Sequence, residues 1–273
     1  MRVDRFTASN GDVWSFEEAG EGPVVVALHG VGGGAYFFRG LSPRLGGRYR
    51  VISTELPSGP GPDGSLAPGS LSRWAVGLGE LIQSRVDGPV AVVGHSLGTI
   101  LALELWRAWP QLVRGMVFVG GLPEVRDVAR ARLQDRLVSV RANGLAGWGS
   151  RVAAGVFGSS ALTAAPEAIG MFERLVEAHP AATYIRNVEA LLSASAADVV
   201  STVTVPCLSL SGADDNYAPP DFVAAFVSQL PLPCEQIVWP GVGHMPFFEI
   251  PALFADAVAG FLARLDPGGT GTA

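Results

Sequence analysis

Short apolar runs of β type alternate with stretches of helical periodicity along most of this 273-residue chain. That alternation limits the fold more than any other feature of the sequence. Val24-Val25-Val26-Ala27-Leu28 is apolar throughout, the pattern of a strand covered on both faces. Val51–Thr54, Val90–Val93, Met116–Val119, Cys207–Leu210 and Gln236–Trp239 read as further strands. Helical patterns fill the intervals from Leu71 to Val86, Leu97 to Ala108 and Phe247 to Leu265. Alternating β and α units of this kind predict a mostly parallel sheet with helices on both faces.

The alternation stops between Gly121 and Thr202, where only helical patterns occur. Tyr184, Val188, Leu191 and Ser195 share one predicted face, and Ile169, Phe172 and Val176 another. Helices set between two strands of one sheet read as an inserted cap. The expected organisation is therefore a core of residues 1–121 and 202–265, a helical cap of 122–201, and a tail of 266–273 too small and polar to pack.

Composition removes whole classes of chemistry. All 19 basic residues are Arg. Without Lys there is no Schiff-base lysine and no complete phosphate-binding loop ending in Lys-Ser or Lys-Thr. Two cysteines far apart, Cys207 and Cys234, make no cysteine-based zinc or iron–sulfur site, and both are expected as free thiols. The net charge of −6 argues against a nucleic-acid partner. No apolar run approaches the roughly 20 residues that span a bilayer. The first residues, Met1 to Phe6, contain no apolar signal-peptide core, so a cytoplasmic protein is expected.

One motif carries candidate chemistry. Gly94-His95-Ser96-Leu97-Gly98 fits the pattern G-x-S-x-G. In a chain this rich in Gly and Ser, about 0.3 chance matches are expected, so the motif counts only in context. Here an apolar strand precedes it and a helical pattern follows, as in a sharp turn that lifts a serine oxygen above the sheet edge. The competing reading is a Gly-rich turn whose Ser caps the helix. A nucleophilic Ser96 needs a base, and the base an orienting acid. Of four histidines, His29 ends the first apolar strand, His95 adjoins Ser96 and should point away from it, and His179 precedes Pro180 in the cap. His244 follows the last strand, in a loop at the carboxyl end of the sheet that Ser96 also faces, and is the expected base. The acid should follow the preceding strand, where Asp214 and Asp215 stand together. Asp215 is the choice, Asp214 the alternative with a helix-capping role open to it. Glu55, after the second strand, should lie further from the base. The backbone N–H groups of Val31 and Leu97 are the expected oxyanion donors, each worth about 3 kcal/mol in comparable sites.

These residues resemble the capped α/β-hydrolase-fold serine hydrolases. The resemblance rests on His29-Gly30 after a strand, the Gly94–Gly98 motif, the Gly212–Asp215 segment and Gly243-His244, in the chain order Ser, Asp, His. It implies an eight-stranded sheet with a helical lid after the sixth strand, Met116–Val119. That strand ends in Gly120-Gly121, without the carboxylate some relatives carry there. Serine at 96 argues against haloalkane dehalogenase and epoxide hydrolase activity. Val31-Gly32-Gly33-Gly34 after His29-Gly30 argues against a proline iminopeptidase. Carboxylesterases, enol-lactonases and carbon–carbon bond hydrolases are the closest in character.

The expected activity is acyl transfer to water on an ester or lactone of a small, largely apolar substrate, with no cofactor, no metal, no nucleic-acid partner and no membrane, the oligomeric state being left open. A carbon–carbon hydrolase or biosynthetic cyclase using the same residues is the alternative, and a non-catalytic small-molecule receptor a remoter one. Expected pocket liners are Tyr36 and Phe37 near the oxyanion loop, Trp148, Phe157, Met171 and Phe172 from the cap, and Met245 beside the base. The first cap segment also carries Arg126, Arg130, Arg132, Arg136 and Arg141, which read as a solvated helix face. The minority reading has one of them holding a substrate carboxylate.

Overall fold

A computed structural model describes residues 1–45, 47–57 and 69–266. The chain opens with strands β1 (Arg2–Thr7), β2 (Val13–Ala19) and β3 (Val24–Leu28). A short helix α1 (Leu41–Arg44) leads to β4 (Arg50–Thr54). Then follow α2 (Leu71–Arg85), β5 (Val90–His95), α3 (Leu97–Ala108) and β6 (Val113–Val119). Five helices come next without an intervening strand: α4 (Asp127–Asn143), α5 (Gly149–Val156), α6 (Ser159–Ala164), α7 (Pro166–Ala178) and α8 (Ala181–Ser193). The chain returns through β7 (Cys207–Gly212), α9 (Pro220–Val227), β8 (Glu235–Trp239), α10 (Pro246–Glu249) and α11 (Pro251–Leu265).

The strands form one eight-stranded sheet in the order β1-β2-β4-β3-β5-β6-β7-β8. Pairing is parallel from β4 through β8, and only the β1–β2 and β2–β4 pairs are antiparallel. The expected mostly parallel sheet of eight strands is what the chain forms. Successive side chains of a strand face opposite sides, and β3 displays this directly. Val24, Val26 and Leu28 join one core with Trp74 and Leu78 of α2 and Leu101 and Leu105 of α3. Val25 and Ala27 join the other with Leu41 of α1 and Phe254, Val258 and Phe261 of α11. A strand buried on both sides has no solvent face, and this is why its sequence does not alternate.

Three local expectations change. The helical pattern from Phe247 to Leu265 is two helices, because Pro251 disfavours helical dihedrals at Ile250 (φ −138°, ψ 56°) and α11 restarts there. The antiparallel β1–β2 hairpin at the sheet edge has no counterpart among the apolar runs, since β1 is largely exposed and carries Arg2, Asp4 and Arg5. Ser195 does not extend the face of Tyr184 and Leu191. It lies beyond α8 in an isolated antiparallel bridge with Glu124, and its hydroxyl donates to Glu124 Oε2 at 2.7 Å. Ala196 N–H donates to the Pro123 carbonyl at 2.9 Å. Entry to and exit from the five-helix insertion are thereby clamped side by side. Of the tail, Asp266 pairs with Arg114 at 2.7 Å, and residues 267–273 lie outside the described residues.

Candidate active site

Ser96 stands between β5 and α3 with φ +52° and ψ −114°. Among the described residues it is the one non-glycine with positive φ. That backbone is strained for any residue with a Cβ. The turn closes because its flanking glycines leave no side chain in the way. A Cβ at Gly94 would collide with the Gly98 carbonyl, and one at Gly98 with the Leu28 carbonyl of β3. The G-x-S-x-G spacing is thus a packing requirement of strand β5, helix α3 and neighbouring β3.

His244 and Asp215 reach this point from β8 and β7. His244 Nδ1 lies 2.8 Å from Asp215 Oδ2, and both side chains are buried. The other carboxylate oxygen, Oδ1, accepts the backbone N–H groups of Tyr217 and Ala218 at 2.8 and 2.9 Å. Burial pushes the Asp215 carboxyl up, but His244 and the two N–H groups outweigh it and hold the acid below its ordinary value. Asp214 turns elsewhere: its Oδ2 accepts Ser159 N–H at 2.8 Å and the Ser159 hydroxyl at 2.5 Å, tying the start of α6 to the loop after β7. Strand β6 runs between β5 and β7, so its end must not obstruct the pair. It ends in Gly120, φ +50°, where a Cβ would sit 3.0 Å from both Asp215 Oδ2 and His244 Nδ1.

Ser96 and His244 line two adjoining cavities under the inserted helices. Val31 lines one and Leu97 the other. Neither backbone N–H has a hydrogen-bond partner among the described residues, and Leu97 is the first residue of α3, where helix N–H groups are unsatisfied by construction. Both are free to serve an external acceptor.

The remaining histidines make other contacts. His29 Nε2 accepts Leu56 N–H at 3.1 Å, so its Nδ1 carries the proton and donates to the Gly30 carbonyl at 2.7 Å. Burial takes its pKa down to about 4. His95 lines the same cavity as Ser96, its ring 4.8 Å from that of His244; its Nε2 donates to the His244 carbonyl at 3.0 Å, and burial and nearby His244 keep it neutral, well below its usual value. His179 packs by Tyr184 and is likewise lowered to about 4 by burial. Glu55 is occupied by the Ala35 N–H at 2.8 Å. Burial pushes the Cys207 thiol far up and that of Cys234 to about 12, and both are free thiols.

Sequence reasoning missed the group that holds the His244 loop. Glu249 of α10 accepts the N–H groups of Gly243 and Met245, at 3.0 and 3.1 Å, on either side of His244. It also accepts Gly158 N–H at 2.8 Å. A carboxylate that closes a four-residue helix, five residues after His244, was the only signal for it.

Of the expected pocket liners, Phe37, Phe172 and Met245 face the cavity beside Ser96. Tyr36, Trp148, Phe157 and Met171 do not line it. Phe172 and Val176 occupy the inward stripe of α7, which leaves Met171 a helical step away and exposed. Phe157 stands behind the lining, its ring 5.2 Å from that of Phe172. Trp148 lies under the guanidinium groups of Arg136 and Arg151. Tyr36 packs edge-on against Phe37 and reaches back to the Gly32 carbonyl. The cavity is completed by residues not proposed from sequence as liners, chiefly Leu133, Val152, Tyr184 and Tyr217. Among the described residues no group of three or more His, Cys, Asp or Glu side chains could hold a metal ion, and no helix is long and apolar enough to cross a membrane.

A parallel sheet of this order, a serine on a strained turn after β5, and an acid and a histidine after β7 and β8 define an α/β hydrolase. Residues 25–257 match the model of the alpha/beta hydrolase family, and the chain belongs to it. An uncharacterized protein of Mycobacterium tuberculosis is 26% identical over 285 residues, covering 96% of this chain and 82% of that protein. A thermophilic esterase from Thermogutta terrifontis superposes with a TM-score of 0.86 at 20% identity, over 97% of this chain and 99% of that one. The enol-lactonase from Burkholderia xenovorans gives 0.85 at 16% identity, over 95% and 100%. At these identities the two structures establish the shared fold.

Proposed function

We propose that this protein is a serine hydrolase that cleaves an ester or lactone of a small substrate through an acyl-enzyme. The observation that carries the reading is that Ser96, at its strained turn, and His244 line one cavity, with His244 held from behind by the buried, ionised Asp215 at 2.8 Å. Ser96 Oγ attacks the carbonyl carbon while His244 Nε2 takes its proton. The N–H groups of Val31 and Leu97 hold the oxyanion. His244 then protonates the leaving alkoxide and takes a proton from water; the resulting hydroxide attacks the acyl carbon, the bond to Ser96 Oγ breaks with return of that proton from His244 to Oγ, and the acyl group leaves as a carboxylic acid. Asp215 fixes the Nδ1–H tautomer and stabilises the imidazolium.

The five inserted helices act as a cap in this reading. Their apolar side chains Leu133, Val152 and Phe172 exclude water from the acyl group. The esterase and lactonase names of the structural neighbours agree with this chemistry. The test is a turnover screen over esters, lactones and diketones, together with fluorophosphonate labelling. Labelling and ester or lactone turnover that both vanish in Ser96→Ala are the expected result. Turnover of diketones alone would replace this reading with carbon–carbon bond hydrolysis. Tight binding of small molecules with no labelling would replace it with a receptor.

A further inference from the structure

Within the Arg-rich segment of α4, Arg136 stands apart. Arg141 pairs with Glu189, Arg130 donates to the Leu192 carbonyl, and Arg126 lies over the Phe222 ring. Arg126 reaches the adjoining Ser96–His244 cavity beside Glu124, whereas Arg136 lines the one walled by Val31, Phe172 and Met245. No carboxylate of the described residues pairs with it. Its Nη1 donates to the Tyr184 hydroxyl at 3.0 Å and its Nη2 to the Tyr217 hydroxyl at 2.9 Å.

A guanidinium has no acceptor and stays charged at every working pH. Each phenol must therefore act as the acceptor in these bonds, and each keeps its own O–H to give. Neither O–H has an acceptor among the described residues. Tyr184 and Tyr217 line the same cavity as Arg136. One wall of an otherwise apolar pocket thus presents a permanent cation with spare N–H groups, flanked by two uncommitted hydroxyl donors. A cation withdrawn from water without an anion is costly, and phenol dipoles offset only part of that cost. Donors of this number and geometry suit a planar carboxylate held from several sides. The Tyr217 ring also packs 5.2 Å from the His244 imidazole, which puts the donor cluster next to the reacting groups.

We infer that Arg136, Tyr184 and Tyr217 bind a carboxylate of the substrate, so that the compound cleaved is a short acid carrying its ester or lactone a few bonds away. The inference rests on the hydrolase reading above and names its substrate class. It predicts discrimination between two esters alike in shape and different in charge.

The experiment compares the half-methyl esters of succinic, glutaric and adipic acids with the corresponding methyl ester amides. For at least one chain length the acid is expected to exceed its amide in kcat/KM by about tenfold or more, the scale of a charge-assisted hydrogen bond. Arg136→Gln should bring that ratio close to one. A wild-type ratio at or below one for every length overturns the inference, and this arm needs no variant to fold. Calorimetric binding of glutarate to Ser96→Ala, lost in Ser96→Ala/Arg136→Gln of unchanged melting temperature, supports it independently of turnover. Fluorophosphonate labelling of Ser96 without preference for acids leaves the hydrolase reading standing and removes this one. Glutarate binding through Arg136 without labelling or turnover does the reverse.

Discussion

Asp214 and Asp215, adjacent in the chain, commit their carboxylates to different parts of the molecule: Asp215 to His244 Nδ1 at 2.8 Å, Asp214 to the Ser159 N–H at 2.8 Å. The two aspartates therefore separate orientation of His244 from attachment of the inserted helices. Asp215→Asn is expected to lower kcat by about 10⁴, because the amide favours the wrong tautomer of His244. Asp214→Asn should keep kcat within about tenfold and lower the melting temperature, since it weakens a helix cap worth about 1 kcal/mol. Ester kinetics and thermal melts on both variants check this. A larger loss of kcat in Asp214→Asn would exchange the roles.

In the proposed reaction Glu249 is a positioning residue, acting through the backbone on either side of His244. Glu249→Gln leaves one acceptor oxygen where two served three N–H groups, so the loop should relax. A displacement on the order of 1 Å at a reacting group costs up to about 100-fold in rate. The expected signature is a fall in kcat with KM little changed and with the pH dependence of kcat unaltered, because Glu249 moves no proton. Unchanged kcat would show that the loop is held well enough by its other bonds, His244 N–H to the Val156 carbonyl at 2.6 Å and His95 Nε2 to the His244 carbonyl at 3.0 Å.

Stability should fall as pH falls from about 6.5 toward 4. The folded protein keeps His29 neutral down to about 4, whereas the unfolded chain takes up its proton near 6.5. The stabilising contribution is complete above the unfolded value and is lost as pH drops through the folded one. The slope is at most about 1.4 kcal/mol per pH unit for each such histidine. His29→Gln should be less stable at pH 7, having lost the Leu56 and Gly30 bonds, yet its stability should vary less with pH in this window. Denaturant melts at pH 7, 6 and 5 decide the point; an unchanged slope would remove His29 as the cause.

How much of this was legible in the sequence differs by region, for physical reasons. The strands buried on both faces, β3 and β5 above all, announce themselves as unbroken apolar runs. The Gly94–Gly98 motif was legible because two backbone carbonyls forbid any side chain at its glycines. The β1–β2 hairpin was not, since an edge strand facing water carries charges like any loop. The cap was the least legible. Its helices bury side chains against each other and against the cavity alike, so Phe172 and Phe157 differ in role without differing in local pattern. Arg136 is indistinguishable along the chain from Arg132 or Arg141. Only the partners it meets across the fold, from α8 and from the loop after β7, set it apart.

The positive φ of Ser96 has a thermodynamic corollary. Glycine occupies that region freely, while a residue with a Cβ is held there at a cost of about 1–2 kcal/mol. Ser96→Gly should therefore melt several degrees above the native chain while losing the proposed nucleophile. In the hydrolase reading the most durable form of this fold is then one that does no chemistry, and a search for stabilising substitutions would select against the residue assigned the attack.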